Sequence, residues 1–185
     1  LYCGAKVDFV DIDLKTFNMS VEELEKKLIQ AELDNKLPKI VIPVHFAGQS
    51  CNMKRIHSLS QKYGFKIIED ASHAIGGKYL NKSIGCCQYS DITVFSFHPV
   101  KIITTAEGGL ATTNNKNLLQ KMQLFRSHGI TRDAKLMTKK SQRSLYYEQT
   151  VLGFNYRMTD LQAALGISQM KRLDIFVTKR HVLRN

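Results

Sequence analysis

No stretch of this 185-residue sequence stays apolar for the roughly 20 residues that a membrane-spanning helix needs. Its first residues, Leu1-Tyr2-Cys3-Gly4-Ala5-Lys6, lack the basic head, apolar middle and small-residue cleavage site of a secretory leader. The cytoplasm is therefore the expected compartment. There is no CxxC pair to begin a zinc site, and vicinal Cys86-Cys87 cannot easily close a relaxed disulfide. We read Cys3, Cys51, Cys86 and Cys87 as reduced, mostly structural thiols. Internal repeats and low-complexity segments are also missing. The chain has no initiator Met and stops at Asn185 within a charged, helix-like stretch, so it is read as an internal piece of a longer protein.

Acidic residues are in short supply: 16 Asp and Glu stand against 27 Lys and Arg, a formal charge of +11. A nucleic-acid binder would gather that charge beside exposed aromatics or on one helix face. Here it is spread, with one cluster from Arg132 to Arg143. That cluster reads as a solvated surface loop or, functionally, as a basic rim drawing in an anionic substrate such as a nucleotide diphosphate. No nucleic-acid partner is expected. A hydrophobic share of 43% and a charged share of 23% describe a globular domain able to bury a core.

The pattern along the chain is strand–helix–strand–helix–strand. Lys6–Asp13 alternates as a short strand; Ser20-x-x-Glu23 is a capping box opening a helix with Val21, Leu24, Leu28 and Ala31 on one face. Lys39–Phe46 is an apolar run of strand length. Asn52–Tyr63 is an amphipathic helix stopped by Gly64, and Phe65–Asp70 is a buried strand. This order implies parallel pairing with right-handed crossovers. Asp91–Phe97 and Gly109–Thr113 are further strands, and Asn115–Ser127 and Thr159–Phe176 are helices. Between Ile130 and Leu152 periodicity disappears, and we expect a long loop.

Two segments carry chemistry. Asp70 ends a buried parallel strand, at the edge where open α/β sheets bind ligands, and a carboxylate there can pair with a cationic ring nitrogen. The small residues after it let a flat ring approach, and His73 is placed to reach a ring substituent. In Ser96-Phe97-His98-Pro99-Val100-Lys101, a strand end and a Pro turn deliver an amine on a loop, followed by Thr104-Thr105-Ala106-Glu107-Gly108-Gly109. A Schiff-base lysine needs such a setting, and the Ser96 hydroxyl can hold a phosphate oxygen. His98 is read as a locally bonded loop histidine. Glu107 is read either as a group that orients the lysine loop or as a turn-stabilising acid. His45, His57, His128 and His181 are too scattered to suggest a metal site.

These segments resemble the DegT/StrS-type sugar aminotransferases, which are fold-type I pyridoxal 5'-phosphate (PLP) enzymes. The resemblance rests on Glu69-Asp70-Ala71-Ser72-His73-Ala74, on Ser96 to Lys101 and on Thr105-Ala106-Glu107-Gly108-Gly109. Arg126-Ser127-His128-Gly129 and Leu152-Gly153-Phe154-Asn155-Tyr156-Arg157-Met158-Thr159-Asp160 extend it over almost the whole chain. It implies an α/β fold: most of the PLP-binding large domain over residues 1–185, with a mainly parallel sheet flanked by helices. The family's N-terminal segment and small C-terminal domain are expected to be absent from this chain.

The resemblance also implies roles. Lys101 would form the covalent link to PLP and act as the catalytic acid/base. Asp70 would pair with the pyridine nitrogen, Ser96 would bind the phosphate, Ser72 would pack on the ring face and His73 would lie near the ring hydroxyl. Asn155 would reach the cofactor phosphate of a neighbouring subunit, in a homodimer. A branch that performs dehydration carries histidine at the lysine position; Lys101 favours transamination. The expected reaction moves the amino group of an amino-acid donor, glutamate, to a nucleotide-linked keto sugar. The His-Pro-Val-Lys form of the loop is similar to the branch making UDP-4-amino-4,6-dideoxy-N-acetyl-altrosamine for pseudaminic acid. The alternatives are a catalytically silent PLP-fold binding or regulatory protein and, from charge alone, a nucleic-acid binder; a visible absorption band on adding PLP would separate both from the enzyme.

Overall fold

Ser20 opens the first helix, α1 (Val21–Leu33), because its Oγ accepts the otherwise orphaned Glu23 N–H at 3.2 Å. The reciprocal half of the expected capping box is not made, since the Glu23 carboxylate pairs with Lys26 instead. Val21, Leu24 and Leu28 fall on one face and are buried. These coordinates are a computed structural model, which describes residues 2–138 and 146–184.

Strand β1 is only Ile40–Val41, shorter than the apolar run Lys39–Phe46 suggests. Pro43 has no N–H to donate, and beyond it the chain pairs once, Val44 with Asp70, before turning at Phe46–Gly48. Asn52 caps α2 (Met53–Tyr63), which buries Met53, Ile56, Leu59 and Tyr63 and ends at Gly64. Strand β2 (Lys66–Asp70) follows, then a small hairpin of β3 (Lys78–Tyr79) and β4 (Lys82–Ser83), then β5 (Ile92–Ser96). The chain returns as β6 (Gly109–Thr112) and enters α3 (Lys116–Arg126).

Two further expectations fail. Lys6–Asp13 forms no strand; its one ladder contact is an isolated bridge between Ile12 and Met19. Alternation reports a strand only where a neighbour supplies the hydrogen bonds, and among the described residues no strand lies beside this segment. Thr159–Phe176 is not one helix but two, α4 (Asp160–Met170) and α5 (Leu173–Arg184), because the chain turns at Lys171-Arg172. The Ile130–Leu152 loop is closed at its base by β7 (Ile130–Thr131) against β8 (Glu148–Gln149). Residues 139–145, which include Lys139, Lys140 and Arg143 of the basic cluster, lie outside the described residues.

The main sheet has the order β1-β2-β5-β6. The first three strands are parallel, and β6 runs antiparallel to β5. One face carries Val41, Ile67, Glu69, Thr93 and Phe95, all buried. Val41, Phe65 and Ile67 pack there against α1 and α2. By strand alternation Ile40, Val44, Ile68, Asp70, Val94 and Ser96 share the opposite face, where Ile40 and Val44 are exposed. A second cluster joins Ala71, Ala74, Phe95, Phe97 and Ile103 to Met158, Leu173 and Phe176. The outcome is α/β, with a mostly parallel sheet and helices packed on it.

Candidate active site

Parallel pairing sends the carboxyl ends of β1, β2 and β5 to one edge, so the chemistry-bearing residues that end two of them become neighbours. Asp70 is in register with Val94, which puts Ser96 on the same face, one strand over and roughly 8 Å from Asp70 between Cα atoms. Asp70 is half-buried; its Oδ1 accepts the Ser72 N–H at 3.0 Å, and Oδ2 takes no hydrogen bond among the described residues. Ser72 thus steers the carboxylate through its amide. Behind them Ala71 and Ala74 are fully buried, which keeps this turn close to the sheet. His73 is exposed and meets the Phe46 ring edge-on at 6.3 Å. Gly48 adjoins it, with a φ of +87° and room for no side chain: a Cβ would stand 2.9 Å from the His73 carbonyl oxygen.

The second half of the edge is the loop from Phe97 to Gly108. Phe97 N–H donates to Gly108 O at 2.9 Å, and Phe97 O accepts from Thr105 N–H and from the Thr104 hydroxyl. Buried Ile103 and Thr105 pin the loop, and the Thr105 hydroxyl donates to Glu107 O at 2.7 Å. Lys101 sits in the turn, its amide donating to His98 O at 3.0 Å. The residue is half-buried, and among the described residues its Nζ enters no hydrogen bond or ion pair. Ser96 Oγ accepts one long bond from His98 N–H, at 3.4 Å, and its proton is uncommitted. An acceptor oxygen, a hydroxyl donor and an amine are therefore all unspent in segments that end at one sheet edge.

Helix α4 braces this loop. Its capping box is complete, with Thr159 and Gln162 bonding reciprocally, and Gln162 Nε2 also donates to Glu107 O at 3.0 Å. The Glu107 backbone, rather than its carboxylate, carries that contact. His98 bonds locally as expected, its Nδ1 accepting from Val100 N–H.

Among the described residues, Asn155 is joined to this group by no hydrogen bond. It is exposed and forms a single antiparallel bridge with Ser127 at the end of α3. The blocks Arg126–Gly129 and Gly153–Tyr156 dock together through His128 N–H to Phe154 O and Tyr156 N–H to Arg126 O, at 2.7 and 2.9 Å. Phe154 and Tyr156 stack face to face at 4.9 Å on either side of Asn155.

His45, set aside in the sequence as one of four scattered histidines, has a defined place here. It is completely buried, and its Nε2 lies 2.8 Å from Glu69 Oε2. Burial alone would raise the Glu69 carboxyl, but hydrogen bonds from His45, Ser90 and Thr93 overcome it and hold the group below its ordinary value. The one signal available was a histidine closing an apolar run, KIVIPVH, with no water to face. Burial likewise pushes the Cys51 thiol up to about 12, and all four cysteines are free. No group of three or more metal-ligating side chains exists among the described residues, and no helix among them is long and apolar enough to cross a membrane.

Known proteins resemble this chain in sequence and in fold. An uncharacterized protein of Methanocaldococcus jannaschii is 43% identical over 176 residues, covering 95% of this chain and 43% of its own length. The UDP-4-amino-4,6-dideoxy-N-acetyl-beta-L-altrosamine transaminase of Campylobacter jejuni strain 81-176 is 41% identical over 180 residues, 97% of this chain and 44% of that protein. Among solved structures, Helicobacter pylori PseC, an aminotransferase involved in the biosynthesis of pseudoaminic acid, superposes with a TM-score of 0.80 at 36% identity, over 94% of this chain and 42% of that one. The chain thus spans less than half the length of these relatives. With a family model matching residues 1–184 as well, the chain belongs to the DegT/DnrJ/EryC1/StrS aminotransferase family.

Proposed function

We propose that this chain is the cofactor-binding part of a PLP-dependent aminotransferase acting on nucleotide-linked keto sugars. One observation carries the reading: Asp70 and Ser96 share a face at the carboxyl edge of adjacent parallel strands, and the Lys101 loop leaves from that edge. The uncommitted groups match the donor set PLP requires. Asp70 Oδ2 would accept from the protonated ring nitrogen, Ser96 Oγ would donate to the phosphate, and Lys101 Nζ would be the covalent attachment point. Ser72 would support the ring face and His73 the ring hydroxyl. When bound, PLP supplies an electron sink that makes the substrate carbon acidic. Lys101 Nζ would also be the group that holds and moves the proton between carbons. The Asp70 carboxylate would face the ring nitrogen, while Ser72 N–H keeps that carboxylate from turning.

In the whole enzyme glutamate gives up its amino group, leaving the keto acid, and a UDP-4-keto-6-deoxy-N-acetylhexosamine receives it as an amino sugar. The Campylobacter relative and the His98-Pro99-Val100-Lys101 form of the loop support that substrate. The enzyme acts as a cytoplasmic homodimer in which Asn155 reaches the partner's cofactor phosphate, in surface-polysaccharide or flagellin-glycan sugar biosynthesis. Borohydride reduction of the full-length protein with PLP, followed by peptide mass spectrometry, tests the core of this. The label belongs on Lys101 alone, and Lys101→Ala should lose both label and transamination. Labelling at another lysine, or an active alanine variant, overturns the reading.

A further inference from the structure

Among the described residues the Asp70 carboxylate makes one hydrogen bond, to the Ser72 amide, so its height is set by its backbone. Three backbone bonds hold that backbone: Asp70 N–H to Pro43 O at 2.9 Å, His45 N–H to Asp70 O at 3.0 Å and Ala71 N–H to Val94 O at 2.9 Å. Two of the three come from the segment Pro43–His45, which lies past the end of β1 and has only the Val44 bridge for ladder pairing. Something else must hold this segment still.

The anchor is the His45 ring. Its Nδ1 lies 3.2 Å from Cys51 N, and a backbone N–H can only donate. Nδ1 is therefore the acceptor, the ring proton sits on Nε2, and Nε2 donates to Glu69 Oε2 at 2.8 Å. The Glu69 carboxylate is the acceptor, surrounded by donors from His45, Ser90 and Thr93. Cys51 Sγ adds a bond to Val44 O at 3.1 Å. Glu69 precedes Asp70 on the strand and points to the opposite face. A closed circuit results: the Glu69 side chain holds the His45 ring, the His45 backbone holds the Asp70 carbonyl, and Asp70 projects over the other face.

We propose that His45, oriented by Glu69, is the positioning residue for the Asp70 carboxylate, acting from beneath the sheet without touching substrate or cofactor. The same residue also fixes the turn that adjoins His73, since Gly48 N–H donates to His45 O at 3.1 Å. This rests on PLP binding at Asp70.

The test uses the full-length holoenzyme and PLP labelled with nitrogen-15 in the ring. His45→Phe keeps the bulk and loses both ring bonds. His45→Asn can still reach Cys51 N–H but not Glu69, and His45→Gln can still reach Glu69. Thr93→Val removes a donor from Glu69 while leaving the ring and the Pro43–His45 segment alone. The Phe and Asn variants should shift the ring-nitrogen resonance toward the unprotonated form and weaken PLP binding. A carboxylate displaced by a fraction of an ångström to an ångström should lower kcat by about a hundredfold. The Gln variant should recover most of each. Thr93→Val should lose thermal stability with the resonance unmoved, which separates positioning from simple destabilisation. Should the Phe variant fail to fold, the Asn variant decides. No bound-cofactor signal in the wild type overturns the PLP reading and this inference together. A wild-type signal that the Phe or Asn variant leaves unchanged overturns the role of His45 alone.

Discussion

Gly129→Ala offers a quantitative test of how Asn155 is held. Gly129 has a φ of +68°, and a Cβ there would overlap the carbonyl of Val151 and stand 2.9 Å from its Cγ2. An alanine in the left-handed region costs about 1–2 kcal/mol before any clash. To relieve the overlap, the 150–154 segment must move away from Gly129. That endangers Thr150 N–H to Gly129 O at 2.9 Å and His128 N–H to Phe154 O at 2.7 Å. Losing both contributes about 1–3 kcal/mol more. The expected loss is therefore about 2–5 kcal/mol, read in the full-length protein as the shift of the urea midpoint multiplied by an unchanged m-value. The docking would be disturbed just where it presents Asn155, so activity should fall further than the folded fraction does. A destabilisation under about 1 kcal/mol would refute the geometric reasoning, because the left-handed backbone alone should exceed that.

Asp70→Asn should leave PLP bound but remove most of the turnover, since an amide cannot hold the ring nitrogen protonated; unchanged turnover in a steady-state assay would remove Asp70 from the site. Mixing inactive Lys101→Ala subunits with inactive Asn155→Ala subunits should restore part of the activity in heterodimers, and no restoration would count against sites shared across an interface. Iodoacetamide at pH 8 should alkylate the exposed Cys3 and Cys86 and spare buried Cys51, whose thiol is pushed up to about 12. Peptide mapping that found Cys51 modified in the folded protein would contradict its burial.

Much was legible in the sequence because the signals were local. Ser20, Asn52 and Gly64 mark helix ends through bonds made within a few residues, and the spacing of Val21, Leu24 and Leu28 predicts their burial whatever they pack against. The blocks around Asp70 and Lys101 pointed to the family through ordered residue types, and the family match covers the same chain. The sheet's tertiary pairing decided the rest. Lys6–Asp13 has the right alternation for a strand but no neighbouring strand among the described residues, and no local pattern reports a missing neighbour. The turn at Lys171-Arg172 interrupts a helical run whose periodicity continues through it, as Leu173 and Phe176 turn inward to the second cluster. Asp70 and Ser96 share a face because of a parallel register that pairs Asp70 with Val94, a fact about two strands rather than either one. His45 and Glu69 are 24 residues apart, and nothing in the periodicity of either segment announces their contact. Residue identity determined which groups could do the chemistry; the folding of β1 beside β2 and β2 beside β5 decided which of them meet.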